Sequence, residues 1–242
     1  MSGERADLAL VQRGFFESRA KAQEAIAAGL VSADGRIVRK ASATIAATAS
    51  IVAEAPSPWV SRGGVKLAAA LDAFHFDVEN RVCLDIGAST GGFTQVLLER
   101  GATTVFAVDV GHGQLHRTLA SNPRVVSREG TDIRSLSPDW FVDRPALITC
   151  DVSFISLKLI LQPLLKLAAQ TAALVALIKP QFEVGRGHLV KGIVKDETIR
   201  LRACTEIAAL VEQLDFRVEA IIPSPIAGGD GNVEYLLGAR TP

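Results

Sequence analysis

The chain has 242 residues, 48% hydrophobic and 21% charged, with 26 basic and 26 acidic side chains. That length supports a sizeable core, and the composition is that of a soluble globular protein. A net charge of zero excludes a global field that attracts nucleic acid, so any such partner must be met by a local patch. The three cysteines, Cys83, Cys150 and Cys204, sit in apolar or helical contexts without zinc spacing, as buried thiols of a reducing, cytoplasmic compartment do. No secretory signal pattern is present, and Pro163, Lys166 and Gln170 interrupt the most apolar stretch before it reaches a membrane span.

In chain order, residues 4–14 carry a helical pattern with Leu8, Val11 and Phe15 on one face and Gly14 as a stop. Ser18 is placed to cap a second helix that Gly29 ends. A hairpin signal follows, Leu30-Val-Ser32, the Asp34-Gly35 turn and Ile37-Val38, and alternation returns over residues 50–54. Two helices and a small β unit within about 55 residues have a thin core, which suits an attached binding module. The predicted boundaries are a first domain over 1–56, a linker over 57–63 around Pro56-Ser-Pro58, and a second domain over 64–242. Trp59 is a candidate packing residue at the join. Ser61-Arg-Gly-Gly-Val-Lys66 opens a helix that runs to about Phe74.

From Arg81 on, strand and helix patterns alternate. Strands are expected at 82–86, 103–109, near 125–126, at 146–151, 172–178, 216–223 and 233–239, with helices from 93, over 157–169 and over 198–214. This alternation predicts a mostly parallel sheet covered on both faces, with ligands at the carboxyl ends of its strands. Asp85, Asp109, Asp151 and Lys179 all fall at such ends. After Asp85 comes the turn Gly87-Ala-Ser89-Thr-Gly91-Gly-Phe93, spaced differently from the dinucleotide fingerprint G-x-G-x-x-G. Its glycines allow a ligand close to the backbone, and Asp85 is placed to face a ligand amine. A carboxylate in the position of Asp109 commonly takes ribose hydroxyls, and Asp132 is placed to reach a base edge.

Several motifs resemble known families. Arg5-x-Asp7, Arg13-Gly14, Ser18-Arg19-x-x-Ala22, Ile26-x-x-Gly29-x-Val31, Gly35 and Lys40 are similar to the small RNA-binding domain of ribosomal protein S-four. The resemblance implies phosphate contacts by Arg5, Arg19 and Lys40. Asp85-Ile-Gly-Ala-Ser-Thr-Gly-Gly-Phe-Thr-Gln95 resembles the FtsJ-type ribose methyltransferases. With Trp59-Val-Ser-Arg-Gly-Gly-Val-Lys66, Asp109-Val-Gly-His-Gly-Gln114, Asp151-Val-Ser-Phe154, Lys179-Pro-Gln-Phe-Glu183 and Gly231-Asn-Val-Glu234, nearly the whole chain resembles the TlyA (hemolysin-A-like) family.

What this resemblance implies is specific. The fold is an α/β, Rossmann-like class I methyltransferase domain with a seven-stranded, mostly parallel sheet, preceded by a small α+β RNA-binding domain. The cofactor is S-adenosyl-L-methionine, held by Asp85, Gly87, Ser89, Gly91, Phe93, Asp109 and Asp132. The catalytic set is Lys66, Asp151, Lys179 and Glu234, with no metal. The reaction is 2′-O-methylation of a cytidine ribose in ribosomal RNA, and the partner is that RNA or a ribosomal subunit. The short C-terminus matches relatives expected to modify only the large-subunit RNA.

The 2′-hydroxyl is a poor nucleophile that must lose its proton as the methyl arrives. A lysine beside it stabilises the alkoxide or, as a neutral amine, takes the proton. Lys179 has the central role in this scheme, Lys66 places the ribose, and the two carboxylates orient the lysines. Arg62, Arg186 and Lys191 are further candidates for RNA contacts, the last two in the glycine-rich segment 183–195. Asp151-Val-Ser-Phe154 lacks the Pro-Pro-aromatic run of enzymes that methylate base amines, and Cys150 is expected to be a buried strand residue rather than a nucleophile. Ser57 stands where some relatives carry an arginine two residues before the Trp. The alternatives are a non-catalytic, cofactor-sensing RNA-binding protein and a membrane-active haemolysin. Nothing in the sequence sets an oligomeric state.

Overall fold

The computed structural model describes residues 3–54, 58–228 and 231–242. The chain divides into two compact units, Met1–Pro58 and Trp59–Pro242. Residues 59–63, expected in a linker, cluster with the second unit, while 55–57, including Pro56 and Ser57, lie outside the described residues.

In the first unit, strand β1 (Gly3–Arg5) leads into α1 (Ala6–Gln12), and α2 (Arg19–Ala27) follows with Ser18 as its cap. The expected first helix therefore begins two residues late, because residues 3–5 are drawn into an antiparallel pair with β4 (Thr44–Ala46). Between them, β2 (Val31–Ala33) and β3 (Arg36–Ile37) form the expected hairpin. Its Asp34-Gly35 turn has positive φ at both residues, the twist a two-residue hairpin needs. Strand β5 (Ile51–Ala53) completes a three-stranded sheet beside β2. Ala6, Ala9, Leu10, Ala22, Ala25 and Ile26 from the helices meet Val31, Val38 and Ile45 in a small core.

In the second unit, α3 (Gly63–Phe74) precedes β6 (Val82–Ile86), α4 (Gly92–Glu99), β7 (Thr104–Val108), the short α5 (Arg117–Ala120) and β8 (Val125–Arg128). Then come β9 (Leu147–Cys150), α6 (Leu161–Leu165), β10 (Ala173–Ile178), α7 (Pro180–Glu183), α8 (Glu197–Gln213), β11 (Arg217–Pro223) and β12 (Tyr235–Arg240). The sheet runs β11-β12-β10-β9-β6-β7-β8. Strands β6 to β10 are parallel, and β12 is antiparallel to both of its neighbours. Strands β9 and β10 are buried along their whole length, as strands covered on both faces must be. Leu84, Ile148, Leu174 and Ile207 belong to one of the unit's core clusters, and Leu67, Leu97, Val105 and Val175 to the other.

The helix expected over 157–169 is broken. It is replaced by a 3-10 turn at Leu157–Leu159 and the five residues of α6. Pro163 has no N–H to continue a ladder and is tolerated only in a first turn, which is where it sits. Among the described residues no helix is long and apolar enough to cross a membrane.

Candidate functional site

The strand order reverses between β6 and β9, and a crevice opens at the carboxyl ends of strands at such a point. A cavity of about 440 Å³ lies there, walled by Gly87, Ser89, Asp109, Gly111, Gln114, Asp132, Asp151, Phe154 and Ile160, among others. That is within the range of small-molecule sites. Gly87 has φ +78, and a Cβ on it would stand 2.3 Å from the Asp151 carbonyl oxygen. Only glycine lets the two strand ends approach so closely.

Asp109 turns both carboxylate oxygens to backbone amides, accepting from Ser89 N at 2.8 Å and Gly111 N at 2.7 Å. Each oxygen keeps a lone pair for a ligand hydroxyl. Asp132 also borders the cavity, but its carboxylate accepts from the Arg134 guanidinium and backbone. The Arg134 side chain, more than its backbone amide, holds Asp132 down at about 2.

Three residues expected at the cofactor lie elsewhere. Asp85 is fully buried beneath the loop. It accepts from Thr94 Oγ1 at 2.6 Å and Thr149 Oγ1 at 3.0 Å, so it does not face a ligand amine. Phe93 is 3% exposed and packs in the core against Gly63, because the first turn of α4 points it into the sheet. Gly91 is the N-cap of α4 at φ +101, and a Cβ there would strike Leu119 and Leu115. Gly91 shapes the turn and does not border the cavity.

Two lysine–carboxylate pairs stand at the same end of the sheet. Lys179 follows β10 and Asp151 follows β9, and Lys179 Nζ lies 2.6 Å from Asp151 Oδ1. Lys179 also donates to Ser153 Oγ at 2.8 Å. Lys66, on the first turn of α3, donates to Glu234 Oε2 at 2.6 Å. Ile178 pairs with Tyr235 across the antiparallel ladder, so the next residue of one strand and the preceding residue of the other, Lys179 and Glu234, share one sheet end. Both lysines and Glu234 are less than 10% exposed. Buried charges persist only when paired, and these are.

Two side chains that the motifs contained, without a role read from them, complete this end. Ser153 is the second partner of Lys179. Phe154 is 92% exposed, holds a strained φ of +65, and sits 5.3 Å from the Phe182 ring at a tilt of 51°. An exposed ring in a left-handed backbone at the rim of the cavity is a candidate for ligand contact.

Among the other candidates, Arg62 is half-buried and donates to the Ala227 carbonyl. Trp59 packs on Gly64 and donates to Glu99 at 2.9 Å. Arg186 and Lys191 are exposed, Lys191 at φ +52. In the first unit Lys40 is exposed, as Arg36 and Arg39 are. Arg5 and Arg19, expected at phosphate, are each about half exposed and already carry an internal partner. Both guanidinium groups, with Gln23, bind the buried Asp7 carboxylate, which Arg5 foremost holds far below the usual carboxylate range. Their first task is to neutralise that buried charge, tying the start of α1 to α2.

The chain matches the FtsJ-like methyltransferase family over residues 59–241 and the S4 domain over residues 4–49. It is 46% identical to the 16S/23S rRNA (cytidine-2′-O)-methyltransferase TlyA of Mycobacterium tuberculosis over 240 residues, covering 98% of this chain and 90% of that one. It is 40% identical to the 23S rRNA (cytidine-2′-O)-methyltransferase TlyA of Campylobacter jejuni over 73% of this chain and 69% of that one. A solved Streptococcus thermophilus structure, provisionally called a hemolysin, superposes with a TM-score of 0.78 at 40% identity, covering 100% of this chain and 89% of that one.

Proposed function

The chain belongs to the FtsJ-like methyltransferase family, and on that premise we propose that it transfers a methyl group from S-adenosyl-L-methionine to the ribose 2′-oxygen of a cytidine in ribosomal RNA. The observation that carries this reading is the pair of buried lysine–carboxylate couples at the sheet end beside the cavity. Both relatives' names include 23S, which favours large-subunit RNA, free or in the assembled subunit, as the substrate. A ribosomal substrate puts the reaction in the cytoplasm.

The cavity suits the cofactor. Asp109 offers acceptors for two ribose hydroxyls, Val108, Ile133 and Ile160 provide apolar walls for a flat base, and Gly87 leaves room that a side chain would fill. When bound, S-adenosyl-L-methionine supplies an electrophilic methyl on a sulfonium and a neutral leaving group. The rest is positioning by this chain's own residues. Lys179 donates one N–H to Ser153 and is held as an ion pair against Asp151 at 2.6 Å, which leaves N–H capacity for the substrate oxygen. As an amine Lys179 Nζ takes the hydroxyl proton, and as an ammonium it stabilises the charge building on the oxygen. Lys66, fixed by Glu234, adds a second cation for the ribose. Phe154 and Phe182 offer a ring face on which the cytosine stacks, a contact worth about 1–3 kcal/mol per base. Lys40 in the first unit, with Arg62, Arg186 and Lys191 in the second, supplies phosphate contacts that position the RNA.

Tritium transfer to ribosomal subunits tests the reading. The wild-type protein labels a cytidine ribose of large-subunit RNA, and Lys179→Ala lowers the rate by about 100-fold or more. S-adenosylhomocysteine binding stays intact in that variant. Unchanged labelling by Lys179→Ala refutes the assignment of Lys179, and absence of labelling by the wild type favours a non-catalytic RNA-binding protein.

A further inference from the structure

The segment after β7 carries a device that neither lysine pair explains. Residues 110–115 fold back over the end of β8 as a strap, with Gly130 N donating to Gly111 O at 2.8 Å. Three successive amides of the strap point at one carboxylate. Gly113 N donates to Glu129 Oε2 at 2.9 Å, while Gln114 N and Leu115 N donate to Oε1 at 2.6 and 3.0 Å. Successive amides can converge in this way only where the chain curls into a nest, and Gly113 at φ +64 makes the curl. These amides, Leu115 first, hold the Glu129 carboxyl below its ordinary range, so it stays charged through neutral pH.

The strap delivers Gln114 to the cavity. Its Oε1 accepts from Ser89 Oγ at 3.1 Å, bridging the glycine turn after β6 to the segment after β7. Its amide nitrogen lies where a Cβ on Gly111 would stand, at 1.9 Å, so residue 111 must be glycine for Gln114 to occupy that place. Gly111, Gln114, Ser89 and Asp109 border the same cavity. Glu129 itself does not reach it.

We propose that Glu129 is a positioning residue for the cofactor: its carboxylate fixes the strap so that Gln114 closes the cavity wall against Ser89. The inference rests on the assignment of the cavity to S-adenosyl-L-methionine. Because the wall is already formed in the free protein, binding does not have to order it. Loss of the anchor leaves the closed strap only fractionally populated, and the observed affinity falls by that fraction.

The test is calorimetric titration of the full chain with S-adenosylhomocysteine, which needs no RNA and no turnover. Wild type, Glu129→Ala, Glu129→Gln, Gln114→Ala and the double Glu129→Ala/Gln114→Ala variant are compared, each with its melting temperature. The expected result is a roughly tenfold or greater loss of affinity in Glu129→Ala. Partial recovery is expected in Glu129→Gln, whose amide oxygen still accepts the two N–H groups that converge on Oε1. Gln114→Ala weakens binding as well, and the double variant is no weaker than the worse single one, since both changes remove the same wall. Wild-type affinity in Glu129→Ala overturns the proposal, as does a lowered melting temperature with unchanged affinity or fully multiplicative losses in the double variant. Failure of the wild type itself to bind S-adenosylhomocysteine would strike the cofactor assignment instead, and is told apart by that control.

Discussion

Replacing Asp85 with Asn removes a buried titration. The carboxylate has no exposed surface, and it faces two threonine hydroxyls and the Thr94 backbone amide but no cation. Burial is the main cause that pushes Asp85 up to about 7, with the Asp151 charge adding to it and the threonines opposing. The unfolded chain loses this proton near pH 4, so between about pH 4 and 7 the folded state binds more protons than the unfolded one. Stability therefore falls as pH rises through that window and levels off above it. Three pH units at 1.36 kcal/mol each give an upper bound of about 4 kcal/mol, of which about 2–3 kcal/mol falls between pH 5 and pH 8.

Asparagine does not titrate and keeps the shape. It can accept from one threonine and must donate to the oxygen of the other, a rearrangement costing about 1 kcal/mol. The Asn variant is thus expected to be near or slightly below wild type at pH 5 and above it by about 1–2 kcal/mol at pH 8. Denaturant unfolding followed by tryptophan fluorescence measures this. Trp59 and Trp140 are the only two tryptophans, and both lie in the second unit, so the signal reports that unit alone. A stability difference that stays flat from pH 5 to pH 8, or that moves against the variant as pH rises, refutes the reasoning.

Glu234→Ala leaves Lys66 buried without its partner and should cost about 3–5 kcal/mol in the same unfolding assay, whereas Lys66→Met with Glu234→Leu should recover most of that loss. Gly87→Ala forces a side chain into a left-handed backbone and against the Asp151 carbonyl; a destabilisation of at least about 1–3 kcal/mol, with weakened S-adenosylhomocysteine binding by calorimetry, is expected. Phe154→Ala should raise KM for ribosomal RNA by roughly tenfold, a larger factor than its loss of S-adenosylhomocysteine affinity through the shared cavity wall, read from steady-state kinetics and titration.

Local patterns carried much of this protein. The Asp34-Gly35 hairpin, the Ser18 cap and the order of strands from Arg81 are written in short-range chemistry and emerge near where it places them, while the helix expected over 157–169 does not. The strand-end residues Asp109, Asp151 and Lys179 were legible for the same reason, since a parallel sheet puts its strand ends on one edge. Lys66 and Glu234, 168 positions apart, were legible only through family motifs, because nothing local marks either as the other's partner.

Tertiary structure alone decided which charged groups face the cavity and which are enclosed. Asp85 and Asp109 read alike as carboxylates at strand ends, yet one is sealed under two threonines and the other opens into the cavity. Arg5 and Arg19 read as cations for phosphate, yet a buried Asp7 takes them first. Ser153, Phe154 and the Glu129 anchor of the strap were likewise invisible as such, because partnership and exposure are properties of packing between distant segments. Sequence sets which side chains are available and how the backbone runs locally. Only the folded chain determines which charges meet a partner, and a low-dielectric interior makes that distinction energetically decisive.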